Sequence, residues 1–367
     1  MAVSTDVDVA VIGAGPGGSS CAALLAEAGY RVRVFERTKF PRFHIGESLL
    51  PVDLPIFERL GFDAKSLPSV YKAGAEFVDE RTGDCGRFPF SEGLPGTPAH
   101  AWQVERAKFD EALAARAAEL GAEVRFETAV QRVDLESDHV ILEHTGGPTT
   151  ARYVVDATGR DRLLCKQHKS FERIEGMGLA AVWDHFTDVD AEIFAEVEAT
   201  GNVAVLLLED GWGWIIPLAG RTLSVGFVSA RQGVVSDAWF EASLQESPML
   251  QRLTAGTKRT GLQRAGDYSF KNTQPHGARF GCVGDAHAFL DPVFSSGVTF
   301  ALESGVMLAD LLGPALAEGR EAEPDLMHPI AEKMAHAHAV FRALIDRFYH
   351  RRLVQKFFFY DDPNPEI

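Results

Sequence analysis

The first 36 residues carry a hydrophobic pattern that predicts a strand, a helix and a second strand in direct succession. Residues 7–12 form a short apolar run that is typical of a buried parallel strand. A glycine-rich turn follows, and the small residues 19–28 have helical character as far as Gly29, which is placed to end the helix in a left-handed turn. Residues 30–35 alternate Arg with Val or Phe and predict the second strand. Together these elements form a βαβ unit.

Further along the chain, helix and strand patterns alternate and then give way to a β-rich stretch. An Ala-rich amphipathic helix is predicted at 109–120. Residues 175–265 are rich in strand patterns and contain an acidic helical stretch at 238–251. The pattern of the first part resumes after about residue 265, so we expect the β-rich part to be an insertion rather than a tandem domain.

The glycine turn has the spacing of a dinucleotide-binding fingerprint. Gly13 permits the tight turn, Gly15 lets the backbone approach a pyrophosphate, and Gly18 lets the helix pack close to the strand. The phosphates would then meet the positive end of the helix dipole. Glu36, 23 residues after Gly13, is placed to accept hydrogen bonds from a ribose diol. An acid at this position indicates FAD or NAD rather than NADP.

Later segments favour FAD over NAD, because a domain that binds NAD would lack them. Thr158 and Gly159 close a strand with small residues, which lets the backbone run beside the cofactor. Asp285 follows another strand and is placed to accept hydrogen bonds from ribityl hydroxyls. A helix predicted at 298–312 presents its free N–H groups to negative charge. Each feature alone is equally typical of a loop glycine or a surface charge. The further predicted cofactor contacts are Arg106, Pro292, Gly297 and Val298.

Composition and charge limit the partners. The 367 residues are 46% hydrophobic and 24% charged, which is typical of a globular protein with a large core. A formal net charge of −16 disfavours binding to nucleic acid and to anionic membranes. No uninterrupted apolar run reaches ~18 residues, and acidic residues interrupt the N-terminal apolar stretch, so we expect no membrane span and no signal peptide. The four cysteines lack metal-ligand spacing, which predicts a reduced cytoplasmic protein without a metal.

Four segments of the chain resemble those of a known family. The glycine turn at 13–18, the segment 43–51 (FHIGESLLP), the segment 212–217 (WGWIIP) and the stretch from 284 to 297 are similar to those of the flavin-dependent halogenases. The similarity runs from about residue 6 to about residue 345. It adds to the predicted cofactor-binding residues Arg37, Gly46, Glu47 and Ser48.

The resemblance implies an α/β fold, with an FAD-binding Rossmann-like domain of the p-hydroxybenzoate hydroxylase type and an inserted β-sheet substrate domain. We expect the discontinuous FAD-binding domain to comprise residues 1–72, 101–165 and 266–345. The substrate domain is expected at 73–100 and 166–265, and a short C-terminal helical tail at 346–367.

The Trp-x-Trp-x-Ile-Pro element is the specific marker of the resemblance. Trp212 and Trp214 alternate on one strand and therefore share a face. With Pro217 they are expected to separate the flavin from the organic substrate, which would suppress direct oxygen transfer. The alternative is that both are core tryptophans on a buried strand.

Lys72, in the sequence YKAGAEF, matches the context of the catalytic lysine of the family. The resemblance implies that reduced FAD and O2 give a flavin hydroperoxide, that chloride or bromide attacks it, and that hypohalous acid forms. Lys72 would hydrogen-bond this acid, or become a haloamine, and deliver electrophilic halogen to an electron-rich ring. An amine suits this role because its pKa moves readily on burial. The alternative is a solvated turn lysine.

The halide is expected at Ser296 and Gly297, where helix N–H groups favour an anion. Tryptophan halogenases carry a glutamate immediately before their Ser-Thr-Gly, whereas this chain has Phe294 before Ser295. That departure argues against free tryptophan and favours the branch that acts on phenols and on carrier-tethered pyrroles or tyrosyl groups.

We therefore expect a two-component halogenase that receives reduced FAD from a separate flavin reductase. One alternative is an FAD monooxygenase or reductase that uses NAD(P)H, and another is a non-catalytic flavin-binding accessory protein. The basic, aromatic tail around Arg342, Arg347 and 351–359 indicates either packing with a solvated face or a docking patch for an acidic carrier protein. Because little follows the last shared helix, an open or partner-completed substrate site is expected.

Overall fold

The computed structural model describes residues 4–177, 180–209, 211–229, 231, 233–266, 269–350 and 359. Within these residues the α-helices, in chain order α1 to α9, are Pro16–Glu27, Leu54–Leu60, Arg106–Glu119, Leu163–His168, Ala191–Glu198, Asp237–Glu246, Pro248–Leu253, Ser296–Glu318 and His328–Phe348. Short 310 turns include Pro51–Asp53, Gly284–Ala286 and Pro292–Phe294.

Within the described ranges, the strands belong to four sheets. In chain order, β1 to β21 are Val7–Ile12, Val32–Phe35, Ser69–Lys72, Gly74–Asp79, Asp84–Pro89, Ala101–Val104, Glu123–Arg125, Val130–Leu135, Val140–His144, Gly147–Asp156, Phe171–Arg173, Ala180–Thr187, Val203–Leu207, Gly211–Leu218, Thr222–Ser229, Lys258–Arg259, Gln263–Gly266, Phe270–Asn272, His276–Gly277, Phe280–Cys282 and Ala288–Phe289.

The first sheet confirms the predicted α/β fold class. Its strands follow the order β19-β20-β10-β1-β2-β7, with β9 and β8 added to β10. β20, β10, β1, β2 and β7 run parallel, and the apolar side chains of β1 and β2 are buried on both faces. Helices α1, α3 and α8 cover one face. The carboxyl ends of β1, β10 and β20 lie side by side, since Ile12 pairs with Asp156 and Asp156 with Cys282.

The second sheet is mostly antiparallel, with the order β16-β12-β15-β14-β13-β4-β5 and β17 added to β12. Its two faces bury different cores. Helices α5, α6 and α7 pack on one face. The other face carries Trp183, Trp212 and Trp214, and we call it the tryptophan face. It packs on Leu290, Val293 and the end of α9. Strands β4 and β5, from residues 74–89, join this sheet together with strands from residues 180–266.

A small two-stranded sheet connects the two large ones. β3 pairs with β6, so that Lys72 lies opposite Ala101. On the other side of β6 runs an extended segment, Gly46–Leu50, in which Ser48 bridges to Gln103. Leu49 N–H donates to Trp102 O at 3.0 Å. We call residues 46–50 the connecting segment.

Two predicted helices have different bounds in the structure. The helical stretch expected at 238–251 is two helices, α6 and α7, because Ser247 caps the second one and Pro248 occupies its first turn. The helix expected at 298–312 begins at Ser296 and continues to Glu318. α8 is also long and apolar enough to cross a membrane, but half of its most apolar window is buried inside the molecule. A core helix has the same composition.

Candidate functional site

The predicted fingerprint glycines form a tight junction between β1, α1 and the end of β10. Gly13 has φ +103, and a Cβ there would lie 2.4 Å from Ala157 O. A Cβ on Gly18 would lie 2.0 Å from Gly13 O. Gly15 precedes α1 in an extended conformation without a side-chain cap. The first N–H groups of α1 are thus available to a phosphate ligand.

Glu36 lies directly below this turn. Its Oε2 accepts Ala14 N–H at 3.1 Å, and its Oε1 accepts the Thr38 hydroxyl at 2.7 Å. These bonds hold a buried carboxylate beside the glycine turn, as a ribose contact requires. Arg37 is exposed and pairs at 2.6 Å with Asp161, in the turn that follows Gly159.

Arg106 is buried and anchors the start of the connecting segment. Its guanidinium pairs with Asp110 at 2.8 Å and donates to Ile45 O at 2.9 Å and Gly46 O at 3.3 Å. Sequence reasoning missed Arg42, whose Nη1 lies 3.1 Å from Asp110 and whose Nη2 would lie 3.7 Å from a Cβ on Gly15. Arg42 follows Phe40-Pro41, and nothing in that sequence distinguishes it from a loop arginine.

Thr158, Gly159 and Asp285 meet at the carboxyl edge of the first sheet. Asp156 accepts Thr158 N–H at 3.0 Å and the Thr158 hydroxyl at 2.6 Å, which fixes this turn. Gly159 has φ +59, and a Cβ there would meet open space. Burial raises the pKa of Asp285 to about 6, and the positive charges of Arg160 and Arg106 oppose that rise.

The start of α8 lies against the connecting segment. Pro292 opens a 310 turn that Asp291 caps, and Ser295 adopts the left-handed conformation, φ +56. No side chain caps the first N–H groups of α8 at Ser296 and Gly297. A Cβ on Gly46 would lie 3.8 Å from Val298 and 2.9 Å from Arg106 Nη1, so the structure brings these predicted residues together.

Lys72 is fully buried, which excludes the solvated-turn alternative. Its Nζ donates to Leu49 O at 2.8 Å and lies 5.1 Å from the centroid of the Phe90 ring. Desolvation lowers the pKa of Lys72 to about 7, and the charge of Asp53 opposes this effect. The amine is therefore poised to be neutral or protonated near pH 7.

Asp53 and Thr299 complete this part of the site, and sequence reasoning missed both. Asp53 Oδ1 accepts the Thr299 hydroxyl at 2.7 Å, which ties the 310 turn Pro51–Asp53 to the first turn of α8. The only sequence signal is an aspartate three residues after Leu50, placed to accept Leu50 N–H, as it does at 2.9 Å.

The two tryptophans share one face of β14, as their spacing predicts. Their ring centroids are 5.9 Å apart, and Trp183 of β12 lies 6.3 Å from Trp214. Trp212 Nε1 donates to Tyr349 Oη at 3.1 Å, and Tyr349 Oη donates to Asp291 at 2.9 Å. Trp212 is thus contacted by the C-cap residue of α9, and the expectation of an open or partner-completed substrate site stays a prediction. Pro217 is buried on the same strand, opposite Leu223.

Glu47 and Ser48 of the connecting segment are also buried. His185 Nε2 lies 2.8 Å from Glu47 Oε1, which joins the segment to β12. Ser48 Oγ and Glu47 Oε2 are buried without a hydrogen-bond partner in the part of the chain that the structure describes. Unpartnered buried polar atoms of this kind are typical of a ligand site.

The C-terminal basic tail is described only in part. Arg342 and Arg347 are exposed on α9, whereas residues 351–358 lie outside the described residues. Phe359 packs on the tryptophan face.

These features fit FAD. Uncapped N–H groups at α1, a buried acid at Glu36, a glycine opening at Gly159 and an acid at Asp285 lie along one edge of the first sheet, and the connecting segment leads from this edge to Lys72. The donors and acceptors match those that a dinucleotide and a ribityl chain need.

Comparison with known proteins agrees with the geometry. The family model described as tryptophan halogenase matches residues 91–362, and a model of an NAD(P)-binding Rossmann-like domain matches residues 11–48. Flavin-dependent halogenase armH3 of Armillaria mellea is 32% identical over 349 residues, covering 86% of this chain and 68% of the relative. A 1H-pyrrole-2-carbonyl-[peptidyl-carrier protein] chlorinase of Pseudomonas fluorescens is 30% identical, covering 82% of this chain and 74% of that protein.

Among solved structures, a flavoprotein/dehydrogenase from Cytophaga hutchinsonii superposes with a TM-score of 0.87 at 28% identity, covering 98% of this chain and 90% of that chain. The chain spans about two thirds of the length of the first curated relatives that it matches, from 61% to 68%. The family model and the curated relatives therefore point to the same family. The chain belongs to the tryptophan halogenase family, the flavin-dependent halogenases, which are enzymes that use FAD together with halide and O2.

Proposed function

We propose that this chain uses reduced FAD and O2 to oxidise chloride or bromide to hypohalous acid, and that Lys72 directs the halogen to an electron-rich aromatic ring. The observation that supports this most is the burial of Lys72, with Nζ bonded to Leu49 O at 2.8 Å and a pKa lowered to about 7. Burying an amine costs free energy, and a perturbed buried amine is typical of a functional site.

When bound, reduced FAD supplies, with O2, the two-electron oxidation of halide. The protein residues supply binding and direction. We assign the adenosine and pyrophosphate contacts to Gly13, Gly15, Gly18, Glu36 and Arg37. The contacts with the remainder of FAD are assigned to the connecting segment and the sheet edge, at Gly46, Glu47, Ser48, Arg106, Thr158, Gly159, Asp285, Pro292, Gly297 and Val298.

The halide is assigned to the first turn of α8, at Ser296 and Gly297. Uncapped N–H groups and the helix dipole favour an anion there. The Thr299 hydroxyl donates to Asp53, whose charge interacts with that of Lys72, so this helix turn and the amine belong to one region of the molecule.

Lys72 then acts in one of two ways. As an ammonium group it hydrogen-bonds hypohalous acid while the ring attacks the halogen. The ammonium gives a proton to the departing hydroxide, which leaves as water, and the proton lost by the ring restores the ammonium. As an amine it exchanges a proton for the halogen, releasing water, and then passes the halogen to the ring and takes up the ring proton in return. In either case Trp212, Trp214 and Pro217 form the partition that keeps the ring away from the flavin.

The substrate we propose is a phenol or pyrrole, free or tethered to a carrier protein. Phe294 stands where tryptophan-specific relatives carry a glutamate, so the ring has to be reactive without that acid–base group. The similarity to a carrier-dependent pyrrole chlorinase supports the tethered form. We also propose a separate flavin reductase as the source of reduced FAD.

The test is mass spectrometry of a panel of phenols and pyrroles incubated with reduced FAD, O2 and bromide or chloride. Lys72→Ala is expected to lower product formation about a hundredfold or more, while oxygen consumption continues. Lys65→Ala, which removes an exposed lysine of the neighbouring turn, is the matched control and is expected to retain activity. Full halogenation by Lys72→Ala would contradict the role of this lysine.

A second candidate is an FAD oxidoreductase that reduces its own flavin with NAD(P)H. The close fit to a flavoprotein/dehydrogenase supports it. In this case NAD(P)H alone bleaches the bound flavin rapidly under anaerobic conditions, and product formation does not require halide. If FAD binds but neither reaction occurs, the chain is an accessory flavin-binding protein.

A further inference from the structure

A fully buried carboxylate lies between Lys72 and the start of α8. Asp53 has no exposed surface. Its Oδ2 accepts Leu50 N–H at 2.9 Å, and its Oδ1 accepts the Thr299 hydroxyl at 2.7 Å. Burying a carboxylate costs free energy even when it is hydrogen-bonded. A position so costly, next to the proposed catalytic amine, calls for a functional explanation.

Lys72 and Asp53 bind opposite ends of one peptide group. Lys72 Nζ donates to Leu49 O at 2.8 Å, and Asp53 accepts the N–H of Leu50 at 2.9 Å. That carbonyl and that N–H belong to the same peptide bond. Hydrogen bonds at both ends polarise the peptide in one direction, and each bond strengthens the other. The amine and the carboxylate are thus joined through the connecting segment.

We infer that Asp53 is a positioning residue, which orients Lys72 through the Leu49–Leu50 peptide and places a negative charge near its amine. This inference rests on the proposed function of Lys72. Asp53 supplies a carboxylate from the 310 turn, whereas Phe294 supplies none from the α8 side. Thr299 joins the same carboxylate to the helix turn that we assign to the halide.

The charges around the pair set the expected direction. Desolvation lowers the pKa of Lys72, and the charge of Asp53 is what opposes it. Desolvation raises the pKa of Asp53 to about 6, and Glu303 of α8 adds to the rise, whereas the bonds from Thr299 and Leu50 and the charge of Lys72 lower it. Glu303 is itself 3.8 Å from Lys333. Removing the charge of Asp53 therefore lowers the pKa of Lys72 further.

The test is Asp53→Asn, which keeps the size of the side chain and an acceptor for Leu50 N–H. We expect the pKa of Lys72 to fall by about one unit, which is a tenfold change in proton affinity. The direct measurement is an NMR titration of the protein labelled with [ε-13C]lysine, with the Lys72 signal assigned from its loss in Lys72→Met. This readout does not depend on bound flavin or on activity.

The pH profile of halogenation is the second readout. The limb that belongs to Lys72 is expected to move to lower pH by the same amount in Asp53→Asn. Movement of the alkaline limb shows that the ammonium form is active, and movement of the acidic limb shows that the amine is active. Asp79→Asn, at the far end of β4, removes another buried carboxylate and is expected to move neither the titration nor the profile.

The outcomes separate this inference from the proposed function. If the wild-type protein forms no halide-dependent product, the proposed function fails and the titration alone decides the coupling. If Lys72→Ala is inactive but Asp53→Asn leaves titration and profile unchanged, only the role of Asp53 is overturned. If Asp53→Asn does not fold, Thr299→Val replaces it. Loss of the hydroxyl favours protonated Asp53, so the Lys72 pKa falls in the same direction, and no change in that variant overturns the inference.

Discussion

His185 and Glu47 show what single residues contribute to this site. His185 Nε2 lies 2.8 Å from Glu47 Oε1, with Glu47 almost completely buried. Burial acts to lower the pKa of His185, but the hydrogen bond and charge of Glu47 outweigh it, and the pKa is raised above 6.5. A histidine with a raised pKa stabilises the fold below its unfolded pKa, and that stability is lost as the pH rises through the folded value.

Glu47→Gln is therefore expected to lower the Tm of the flavin-free protein more at pH 5.5 than at pH 8.5. At the lower pH the free energy of unfolding is expected to fall by about 1 kcal/mol, because only one charge pair is removed. Thermal scans at the two pH values measure it, and His185→Gln serves as the partner variant, in which the pH dependence is also lost. An equal fall in Tm at both pH values contradicts the linkage.

The site residues that could be predicted from the sequence are those that lie close together in a short, recognisable spacing. The fingerprint glycines and the alternating tryptophans fall into this group, since spacing alone brings them together. Lys72 was identified through the family resemblance, and its burial became visible only in the structure. Asp53 and Arg42 were not predicted as site residues, because their partners Thr299 and Asp110 are distant in the chain. No local pattern encodes such contacts.

The crossing of α1 and α8 sets the geometry of the cofactor cleft at the level of elements. A Cβ on Gly305 of α8 would lie 2.3 Å from Gly17 O and 2.6 Å from Ser20 Oγ of α1. The two helices approach so closely that only glycine fits. Because α1 carries the proposed pyrophosphate turn and α8 the proposed halide turn, a change in their spacing acts on both.

Gly305→Ala is expected to destabilise the protein by about 1–3 kcal/mol, since the added methyl group forces the helices apart. It is also expected to weaken FAD binding. Urea unfolding and a flavin-fluorescence titration measure the two effects. Gly313→Ala in the same helix is the control, because a Cβ there meets Tyr30 at an ordinary 3.7 Å. Helix propensity alone favours alanine at both positions, so comparable losses in both variants would show that the close crossing at Gly305 is not responsible.

The order of elements was largely predictable, whereas their ends were less so. Periodicity indicated the βαβ unit and the β-rich stretch, because one period repeats over several residues. The break between α6 and α7 follows from Ser247 and Pro248, a signal that the acidic helical pattern around it concealed. The proposed division at 73–100 and 166–265 remains a prediction, although strands from both ranges share the second sheet.

At the level of the whole molecule, the connections between the sheets are what sequence patterns do not contain. The connecting segment pairs with β6 and contacts β12 through His185. It also accepts a hydrogen bond from Lys72 and donates one to Asp53. On the opposite side, Tyr349 joins Trp212 to Asp291 and so closes the tryptophan face with α9. Apart from the contact between Leu50 and Asp53, each of these contacts links residues more than 20 positions apart. Such pairs are fixed by the fold and not by local propensity.

Net charge is the property of the whole molecule that bears on a tethered substrate. A chain of net charge −16 repels an acidic carrier protein at long range, so docking requires a local positive surface. Arg342 and Arg347 are exposed on α9, which also covers the tryptophan face. A carrier bound at these arginines would lie next to the proposed substrate site.

The double variant Arg342→Glu/Arg347→Glu is accordingly expected to raise KM for a carrier-tethered pyrrole about tenfold or more, with kcat little changed. The KM of a free phenol is expected to stay the same, because a small neutral molecule does not use this surface. In the wild-type protein, raising the salt concentration from about 50 to 300 mM should raise KM for the tethered substrate alone, since screening weakens the local attraction. The double variant Arg132→Glu/Arg252→Glu, which reverses two exposed arginines on β8 and α7, is the charge-matched control. If both reversals raise KM equally, net charge and not a docking patch governs carrier binding.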